Sequence, residues 1–272
     1  MAQRKGSTIL IDHVCQTFKM KDRDVVALDR ASFEVQAGEF VSLLGPSGCG
    51  KSTLLLACAG LGPYDSGRIA INGATVVGPQ TEIGIVFQDA FLLEWRTVLQ
   101  NVMLQAELRR LDLDLYRSRA LQLLERVGLG QFAKAMPHEL SGGMRQRAAI
   151  CRALLHDPAL LFMDEPFGAL DALTRDDLNL ELQDIWIKSP KTVLFVTHSI
   201  AEAVLLSDRI VVMSARPGRI VEILPIDLPR PRDLALRETP EFARYTRHIR
   251  SLFASLGVIR GDATSSSESQ TI

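Results

Sequence analysis

Apolar and polar positions alternate in two neighbouring segments near the start of the chain, residues 8–18 and 25–35. The charged residues 19–24 lie between them, which predicts two strands joined by a hairpin-like turn. A further short strand, bounded by turn residues, is predicted at 67–73. Continuous apolar runs of buried-strand length follow at residues 40–44, 83–87, 159–163, 193–196 and 210–213. Because strands alternate with helical segments, we expect a mainly parallel sheet covered by helices.

The spacing of the apolar residues changes from a period of about 2 to one of about 3.6 between Val98 and Val127, which predicts helices. The first predicted helix has one broad apolar face, made of Val98, Val102, Leu104, Leu108 and Leu111. The second presents Leu121, Leu124 and Val127 and ends at Gly128. With a third helix that opens near Ser141, these form a predicted helical insertion at about residues 89–155.

The character of the chain changes after Leu228. Residues 229–232 (Pro-Arg-Pro-Arg) favour extended backbone, and residues 239–241 (Thr-Pro-Glu) are a typical helix start. The helix predicted at about residues 240–257 carries one apolar stripe, made of Phe242, Tyr245, Ile249, Leu252, Phe253 and Leu256. We expect this stripe to dock on its own domain rather than to make a regulatory or partner contact. Residues 261–272 are mostly serine and small polar residues and are expected to be disordered.

Composition excludes several functions. The chain has 272 residues, of which 47% are hydrophobic and 23% charged, as in globular proteins with one two-lobed domain or two small ones. The formal net charge of −1 argues against a nucleic-acid binder, which usually carries a basic excess. The four cysteines have no paired or zinc-binding spacing, so reduced thiols in the cytosol are expected. Since there is no secretory signal and no apolar run of membrane-helix length, we expect any membrane role to come through a partner.

Residues 45–53 read GPSGCGKST and lie between an apolar strand-like run and a helical run. This is the spacing of a phosphate-binding loop, in which glycines let backbone N–H groups turn inward around an anion. The N-terminus of the following helix adds positive partial charge. Lys51 can reach the β- and γ-phosphates, and the Ser52 hydroxyl can ligate Mg²⁺. The predicted nucleotide contacts are Gly45, Pro46, Ser47, Gly48, Cys49, Gly50, Lys51, Ser52 and Thr53.

Two acidic residues and a histidine follow apolar strands. Asp164 and Glu165 end one such run, at the carboxyl edge where ligands bind in open α/β sheets. Asp164 is expected to hold Mg²⁺, and Glu165 to orient and deprotonate an attacking water. His198 ends another run and is a candidate γ-phosphate contact. The alternatives are a solvated strand terminus for the two acids and a surface loop for the histidine.

Ser141, Gly142 and Gly143 open a predicted helix that runs toward Leu155. Ser141 is a good N-cap, and the simplest interpretation ends there. The two glycines also free N–H groups at a helix N-terminus, which makes a second anion site. Because one ATP does not need two such sites from one chain, we expect the second to serve the nucleotide of a neighbouring subunit.

With its motifs in this order, the chain resembles the ATP-binding subunits of ABC transporters from residue 8 to about 228. Residues 45–53 resemble the Walker A motif of that family, and residues 140–144 (LSGGM) resemble its signature. Residues 160–165 resemble the Walker B motif with its catalytic glutamate. Six motifs in the family's order make the resemblance very specific.

Four single residues extend the resemblance. Gln88 resembles the Q-loop glutamine, Asp171 the D-loop aspartate and His198 the switch histidine. Phe18, which would otherwise be assigned to a strand core, falls where the family stacks an aromatic ring on adenine. The resemblance implies ATP and Mg²⁺ as cofactors; it implies catalytic roles for Glu165, His198 and Gln88, and metal ligation by Ser52, Gln88 and Asp164.

The resemblance also implies an architecture and a setting. The fold would be a RecA-like P-loop ATPase core of the α/β class, with an antiparallel β subdomain and a helical insertion. Residues 1–228 would form the ATPase domain, and residues 229–272 a C-terminal extension. The implied partners are a second copy of the chain, transmembrane permease subunits and, indirectly, a solute-binding protein, with no nucleic acid. The implied location is the cytoplasmic face of the cell membrane.

Three segments resemble the nitrate/sulfonate/taurine importer group within this family. They are Trp95 with its neighbours, residues 164–173 (DEPFGALDAL) and residues 214–220 (SARPGRI). Three positions depart from what is usual in that group, and none of them removes a phosphate or metal contact. They are Glu94 in place of a proline, Met144 in place of a glutamine and Ser199 in place of an aspartate.

Four large apolar residues follow Gln88 outside any clear strand: Phe91, Leu92, Leu93 and Trp95. They either pack in the core or form an exposed groove that receives a short helix of a permease, and the resemblance favours the groove.

Two other functions compete with transport. An ABC-type ATPase acting on DNA would carry a long coiled coil between Lys51 and Ser141, and this segment is too short for one. The ribosome-acting members carry two such domains, and here there is one. A P-loop kinase of small molecules would explain neither LSGGM nor His198.

Overall fold

The computed structural model describes residues 6–259, which fold around two β-sheets. The strands are β1 (Ile9–Lys19), β2 (Asp24–Val35), β3 (Phe40–Leu44), β4 (Ser66–Ile71), β5 (Ala74–Thr75), β6 (Ile83–Val86), β7 (Leu160–Asp164), β8 (Thr192–Thr197), β9 (Arg209–Met213) and β10 (Ile220–Pro225). The α-helices are α1 (Lys51–Cys58), α2 (Val98–Leu108), α3 (Leu113–Arg126), α4 (Gly142–Leu154), α5 (Ala172–Lys188), α6 (Ile200–Leu206) and α7 (Pro240–Ser255).

The six-stranded sheet confirms the predicted parallel core. Its strand order is β10-β9-β3-β8-β7-β6, with only β10 antiparallel to its neighbour among the described strands. Leu44 pairs with Thr197, and Asp164 pairs with Val196. Since β3, β7 and β8 end level with one another, the three segments that follow them meet at one edge of the sheet.

The four-stranded antiparallel sheet has the order β2-β1-β4-β5, and its first two strands form the predicted hairpin. Ile11, Val14 and Leu28 of this sheet share one buried apolar cluster with Leu55 of α1 and Val211 of β9. The antiparallel sheet therefore covers α1 and fixes the phosphate loop against the parallel core.

The helical insertion exists as predicted, but the apolar face assigned to α2 is wrong in part. Val98, Val102 and Ala106 are buried against α3 and α4, whereas Leu108 is 71% exposed. At about 100° per residue, Leu104 and Leu108 each lie about 200° around the helix from Ala106. The buried face is completed by Met103, which the sequence pattern did not assign to it.

The second helix of the insertion shows a similar difference. In α3 the buried residues are Ala120 and Leu124, and Leu121 is exposed. Alanine is small enough to sit at the contact with α2, where it brings the two helices close together. Apolar spacing alone therefore identified the helices correctly but placed Leu104 and Leu108 of α2 and Leu121 of α3 on the wrong side.

Beyond β10, the chain returns to cover the far face of the core sheet. Thr239 caps α7 through its side chain, which accepts a hydrogen bond from the Phe242 N–H at 3.3 Å. The stripe of α7 packs on α6 and β9 of the same chain, as predicted, and buries Phe242, Tyr245, Ile249 and Phe253. Leu256, expected in the stripe, is exposed just beyond the end of the helix. Residues 261–272, with their expected disorder, lie outside the described residues.

The connection to α7 is anchored by a buried arginine. The guanidinium of Arg232 donates hydrogen bonds to five main-chain carbonyl oxygens near the end of α6 and after β10, those of Val204, Leu205, Ser207, Ile226 and Leu228. These include the carbonyls that the end of α6 leaves without helical partners. Burial lowers the pKa of Arg232 to about 10.

No helix among residues 6–259 is both long and apolar enough to cross a membrane.

We predict that α7 contributes to the stability of the ATPase core. Deletion of residues 229–272 is expected to lower the melting temperature. Ile249→Ala, at a fully buried position of α7, is expected to cost about 2–5 kcal/mol, because it leaves a cavity under the helix. Differential scanning calorimetry measures both, with the exposed Ser251→Ala as control. An unchanged melting temperature for Ile249→Ala would mean that α7 is not part of the folded core in solution.

Candidate functional site

The phosphate loop connects β3 to α1 and depends on two glycines. Gly48 and Gly50 have φ angles of 74° and 104°, in the left-handed region that favours glycine. A Cβ at Gly50 would lie 2.7 Å from the main-chain oxygen of Ala27 in β2. Burial raises the pKa of the Cys49 thiol, which is enclosed beneath the loop. The loop is thus fixed by the core on one side and by the antiparallel sheet on the other.

Lys51, at the start of α1, points its ammonium group into the hollow of the loop. Its side chain is 3% exposed and donates hydrogen bonds to the main-chain oxygens of Gly45 at 2.9 Å and Pro46 at 3.1 Å. Its Nζ atom also lies 3.4 Å from Oε1 of Glu165. A buried ammonium held by two carbonyls and one carboxylate is well placed to bind an entering anion.

Ser52 and Asp164 meet beside this ammonium group. The Ser52 hydroxyl donates to Oδ1 of Asp164 at 2.8 Å, although the two residues are far apart in the sequence. Desolvation raises the pKa of Asp164, and the nearby Glu165 raises it further. A buried carboxylate and a hydroxyl in contact are hard oxygen donors of the kind that Mg²⁺ prefers, and a divalent cation would offset the cost of burying the charge. Gln88 lines the same cavity.

The described residues contain no group of three or more His, Cys, Asp or Glu side chains arranged to hold a metal ion. A metal at Ser52 and Asp164 would therefore take its remaining ligands from phosphate oxygens and water, which is how Mg²⁺ is commonly held in nucleotide sites. The residues present fit that kind of site.

Glu165 connects the phosphate loop to β8. Its Oε2 atom lies 2.9 Å from Nδ1 of His198, while Oε1 faces Lys51. The backbone of Glu165 has a φ of 44°, which costs about 1–3 kcal/mol for a residue other than glycine. It is held there by main-chain hydrogen bonds with Val196 and Gly168. Strain of this kind is concentrated at functional sites, and here it turns the carboxylate toward the loop.

A buried carboxylate supports His198 from behind. Glu202 of α6 accepts a hydrogen bond from the Thr197 hydroxyl at 2.5 Å, and its other oxygen lies 3.7 Å from Nε of Arg175. Burial raises the pKa of Glu202. Ser199 caps α6 by accepting from the Glu202 N–H at 3.3 Å. A serine caps a helix as well as an aspartate does. The replacement of aspartate by Ser199 therefore preserves the start of α6, directly after His198.

Lys51, Ser52 and Glu165 line one cavity of about 430 Å³. Phe18 stands at its mouth and is 39% exposed, as a residue that stacks on a ligand must be. The cavity is lined by Phe18, Met20, Val25, Ala27, Ser47, Gly48, Gly50, Lys51, Ser52, Thr53, Gln88, Glu165 and Arg216. Four of these residues were not assigned to the site from the sequence: Met20, Val25, Ala27 and Arg216. The first three lie in the predicted hairpin that also carries Phe18. Their closeness to Phe18 in this hairpin could have placed them in the site.

Nine predicted site residues are not in the cavity lining. Five of them belong to the phosphate loop or follow or end the neighbouring strands: Gly45, Pro46, Cys49, Asp164 and His198. The other four lie at the starts of two helices. Ser141 caps α4 by accepting from the Met144 N–H, and Asp171 caps α5 by accepting from the Thr174 N–H. A Cβ at Gly143 would lie 2.5 Å from the Thr174 side chain, so the starts of α4 and α5 are packed together. Ser141, Gly142, Gly143 and Asp171 therefore form a second, separate group.

Comparison with known proteins identifies the family. The sequence model of the ABC transporter family matches residues 28–168, which include the phosphate loop, the start of α4 and the end of β7. The chain belongs to the ABC transporter family. It is an ATP-binding subunit of that family, an ATP-hydrolysing enzyme, as the resemblance of its motifs predicted.

Similar proteins cover nearly the whole chain. A Methanocaldococcus jannaschii ABC transporter ATP-binding protein is 48% identical over 88% of each chain. The taurine import ATP-binding protein TauB of Rhizobium johnstonii is 45% identical over 93% of this chain and 99% of its own. The aliphatic sulfonates import ATP-binding protein SsuB of Bacillus cereus is 42% identical over 93% and 98%.

Solved structures confirm the predicted fold. A dimeric structure of the ATP-binding cassette MJ0796 bound to ADP and Pi matches with a TM-score of 0.72 and 32% identity, covering 81% of this chain and all of that one. A second dimeric structure of the same cassette matches with a TM-score of 0.73. The chain thus has the ABC cassette fold, with its mixed α/β core and antiparallel β subdomain.

We predict separate effects on binding and on hydrolysis from two substitutions in the cavity. Glu165→Gln removes the charge and the basic lone pair but keeps the shape, so hydrolysis should fall about 10²–10⁴-fold while ATP still binds. Lys51→Ala should weaken binding itself, because it removes a charge-assisted phosphate contact. Nucleotide titration and single-turnover hydrolysis measure the two effects. Near-normal hydrolysis by Glu165→Gln would move the general base elsewhere, with His198 as the first candidate.

Proposed function

We propose that this chain is the ATPase subunit of a membrane importer for taurine, a sulfonate, nitrate or a related small solute. The observation that carries the ATPase role is the set of contacts Lys51–Glu165, Glu165–His198 and Ser52–Asp164 at one edge of the sheet. The direction of transport and the solute class are supported by the names of the relatives at 42–45% identity over most of the chain. The chain would work at the cytoplasmic face of the membrane, with permease subunits and, indirectly, a solute-binding protein.

In the proposed reaction, the loop amides and Lys51 bind the phosphates of ATP, and Phe18 stacks on the adenine. Ser52, Asp164 and Gln88 would hold Mg²⁺, which neutralises phosphate charge when bound. Glu165 accepts the proton of the attacking water, and His198 orients Glu165 through the 2.9 Å contact and faces the γ-phosphate.

A second copy of the chain would complete the site. Ser141, Gly142 and Gly143 present a helix N-terminus with Asp171 beside it, away from the chain's own cavity. A helix N-terminus with glycines binds anions, so this group suits the γ-phosphate of a nucleotide held by a partner. The matching MJ0796 cassettes were solved as dimers, which agrees with this arrangement.

We predict that ATP promotes dimer formation. A nucleotide that bridges two copies stabilises the dimer by linkage, so Glu165→Gln with ATP and Mg²⁺ should dimerise while the nucleotide-free protein stays monomeric. Light scattering across a concentration series measures this. Ser141→Arg, at an exposed position, should block the dimer without lowering the ATP affinity of the monomer. A strictly monomeric Glu165→Gln profile at high protein concentration would contradict the proposed second copy.

The segment after Gln88 offers a surface for a permease. Trp95 is 73% and Phe91 62% exposed, which agrees with the groove expected from the resemblance, whereas Leu92 is buried in the helical insertion and belongs to its core. Arg152 of α4 donates hydrogen bonds to the main-chain oxygens of Phe91 and Ala90, so the segment is held firmly. Two exposed aromatic rings on a fixed backbone suit the apolar face of a short helix.

We predict that Trp95→Ala uncouples transport from hydrolysis. It removes a large exposed apolar contact, so ATP-driven uptake should fall strongly while the ATPase activity and melting temperature of the isolated subunit stay near normal. Uptake of labelled taurine into proteoliposomes with the partner permease measures the effect. Val77→Ala, at another exposed apolar position, is the matched control. Loss of folding together with ATPase activity would show that Trp95 belongs to the core.

A further inference from the structure

Arg216 lines the nucleotide cavity from a side that none of the expected motifs occupies. It lies in the β9–β10 loop, residues 214–219. Its guanidinium donates two hydrogen bonds to the main-chain oxygen of Gly48 in the phosphate loop, from Nη2 at 2.9 Å and from Nε at 3.2 Å. No carboxylate in residues 6–259 lies within ion-pair distance of this guanidinium, so no acid of the described residues pairs with its charge.

The main chain of the loop carries Arg216 to this position. Gly218 donates its N–H to the oxygen of Ala27 and accepts from the N–H of Asp29, both at 3.0 Å, so the loop is pinned to β2. A Cβ at Gly218 would lie 2.1 Å from the main-chain oxygen of Cys49, which shows how closely the loop approaches the phosphate loop. Ser214 closes the other side by accepting from the Arg219 N–H at 3.0 Å.

The hydrogen bonds from Arg216 to the Gly48 oxygen help to set the orientation of the Gly48–Cys49 peptide. In a trans peptide the carbonyl of Gly48 and the N–H of Cys49 point in opposite directions. The Cys49 N–H therefore points away from the carbonyl that Arg216 holds, and it donates a hydrogen bond to the main-chain oxygen of Pro46 at 3.3 Å. Lys51 donates to that same oxygen at 3.1 Å. The Cys49 N–H and the Lys51 ammonium therefore share one acceptor within the loop, and both are donors that a phosphate could recruit.

We propose that Arg216 is a positioning residue of the nucleotide site, which fixes the Gly48–Cys49 peptide in its phosphate-binding orientation and adds an uncompensated positive charge at the rim of the cavity. Gly48 has no side chain and a left-handed φ of 74°, so the orientation of its peptide depends on the groups that hold its two ends, Arg216 at the Gly48 oxygen and Pro46 at the Cys49 N–H. This inference rests on the nucleotide binding of the proposed function and extends it to a residue outside the known motifs.

The test compares Arg216→Ala, Arg216→Lys and the wild-type protein, each as the full chain. Arg216→Ala should weaken the affinity for both ATP and ADP about ten-fold, because one charge-assisted contact is lost at an exposed position. Arg216→Lys should recover part of the affinity, since it keeps the charge but lacks the planar fork. The KM for ATP of Arg216→Ala should rise by a larger factor than kcat falls, because the loss acts on phosphate binding while Glu165 and His198 are retained.

Two controls separate this role from general damage to the loop. Arg219→Ala removes an exposed charge from the same loop, where Arg219 pairs with Asp29, and should change ATP affinity by less than about two-fold. The affinity for adenosine, measured by competition with a fluorescent ATP analogue, should be equal in the wild type and Arg216→Ala, since adenosine has no phosphate.

Equal ATP affinity in the wild type and Arg216→Ala would overturn the inference, and so would an equal loss in Arg219→Ala or an equal loss for adenosine. Failure of the wild type itself to bind ATP would instead overturn the proposed function. Loss of ATP and ADP affinity, partly restored by lysine and absent from Arg219→Ala, would support the role of Arg216.

Discussion

The level ending of β3, β7 and β8 is the constraint on which the rest of the site depends. Their register brings the phosphate loop, the pair Asp164–Glu165 and His198 to one edge, although these residues are spread over most of the chain. No local sequence signal creates the 2.8 Å contact of Ser52 with Asp164 or the 2.9 Å contact of Glu165 with His198. Both follow from main-chain pairing in a buried sheet, where a shift of one residue would turn every side chain to the other face.

Within that edge, the partners of Lys51 determine what a nucleotide must displace. Its ammonium is held by two loop carbonyls and the carboxylate of Glu165, which is also in contact with His198. Phosphate oxygens offer the ammonium stronger, charged acceptors than the carbonyls do. Phosphate oxygens that bind Lys51 would compete with Glu165 for the ammonium, while the contact of Glu165 with His198 is independent of Lys51. Binding of the phosphates thus changes the environment of the group that is proposed to accept a proton.

The parts of the fold that were predicted are those in which the local pattern decides the outcome. The buried strand before the phosphate loop and the one ending at Asp164 are continuous apolar runs, and Thr239 with Pro240 marked the start of α7. The side of α2 that faces the core was not decided locally, and Leu108 was assigned wrongly because α3 and α4 select the buried face.

In the candidate site, too, some residues could be assigned from local motifs and others only from the tertiary structure. The phosphate loop, the two acids and His198 could be assigned from the sequence because each belongs to a local motif or ends an apolar run, and the structure brings them to one edge of the sheet. From the sequence, Arg216 belonged only to a segment that resembles the importer group. Its place at the cavity depends on the pairing of β3 with β9, which brings the β9–β10 loop beside the phosphate loop. Leu92 and Trp95 are close in the sequence, and both are large and apolar. Leu92 is buried because it packs in the helical insertion, whereas Trp95 is exposed, and the local sequence does not distinguish them.

One helix joins the three regions that transport would have to couple. The start of α4 carries the Ser141 group, which points away from the chain's own cavity. In its middle, Gln146 donates a hydrogen bond to the main-chain oxygen of Phe87 at 3.0 Å, next to Gln88 in the cavity wall. Near its end, Arg152 holds the main chain at Phe91, beside the exposed Trp95.

A helix is stiff along its axis, because every turn is tied to the next by hydrogen bonds. A displacement of α4 at any one of these three contacts therefore moves the other two. Closure of a second copy onto Ser141 would act on the start of the helix, and a permease helix at Trp95 would act on the segment held at its end. The cavity wall and the exposed aromatic surface are thereby joined through Gln146 and Arg152 of a single helix, an arrangement that would suit the coupling of ATP hydrolysis to transport.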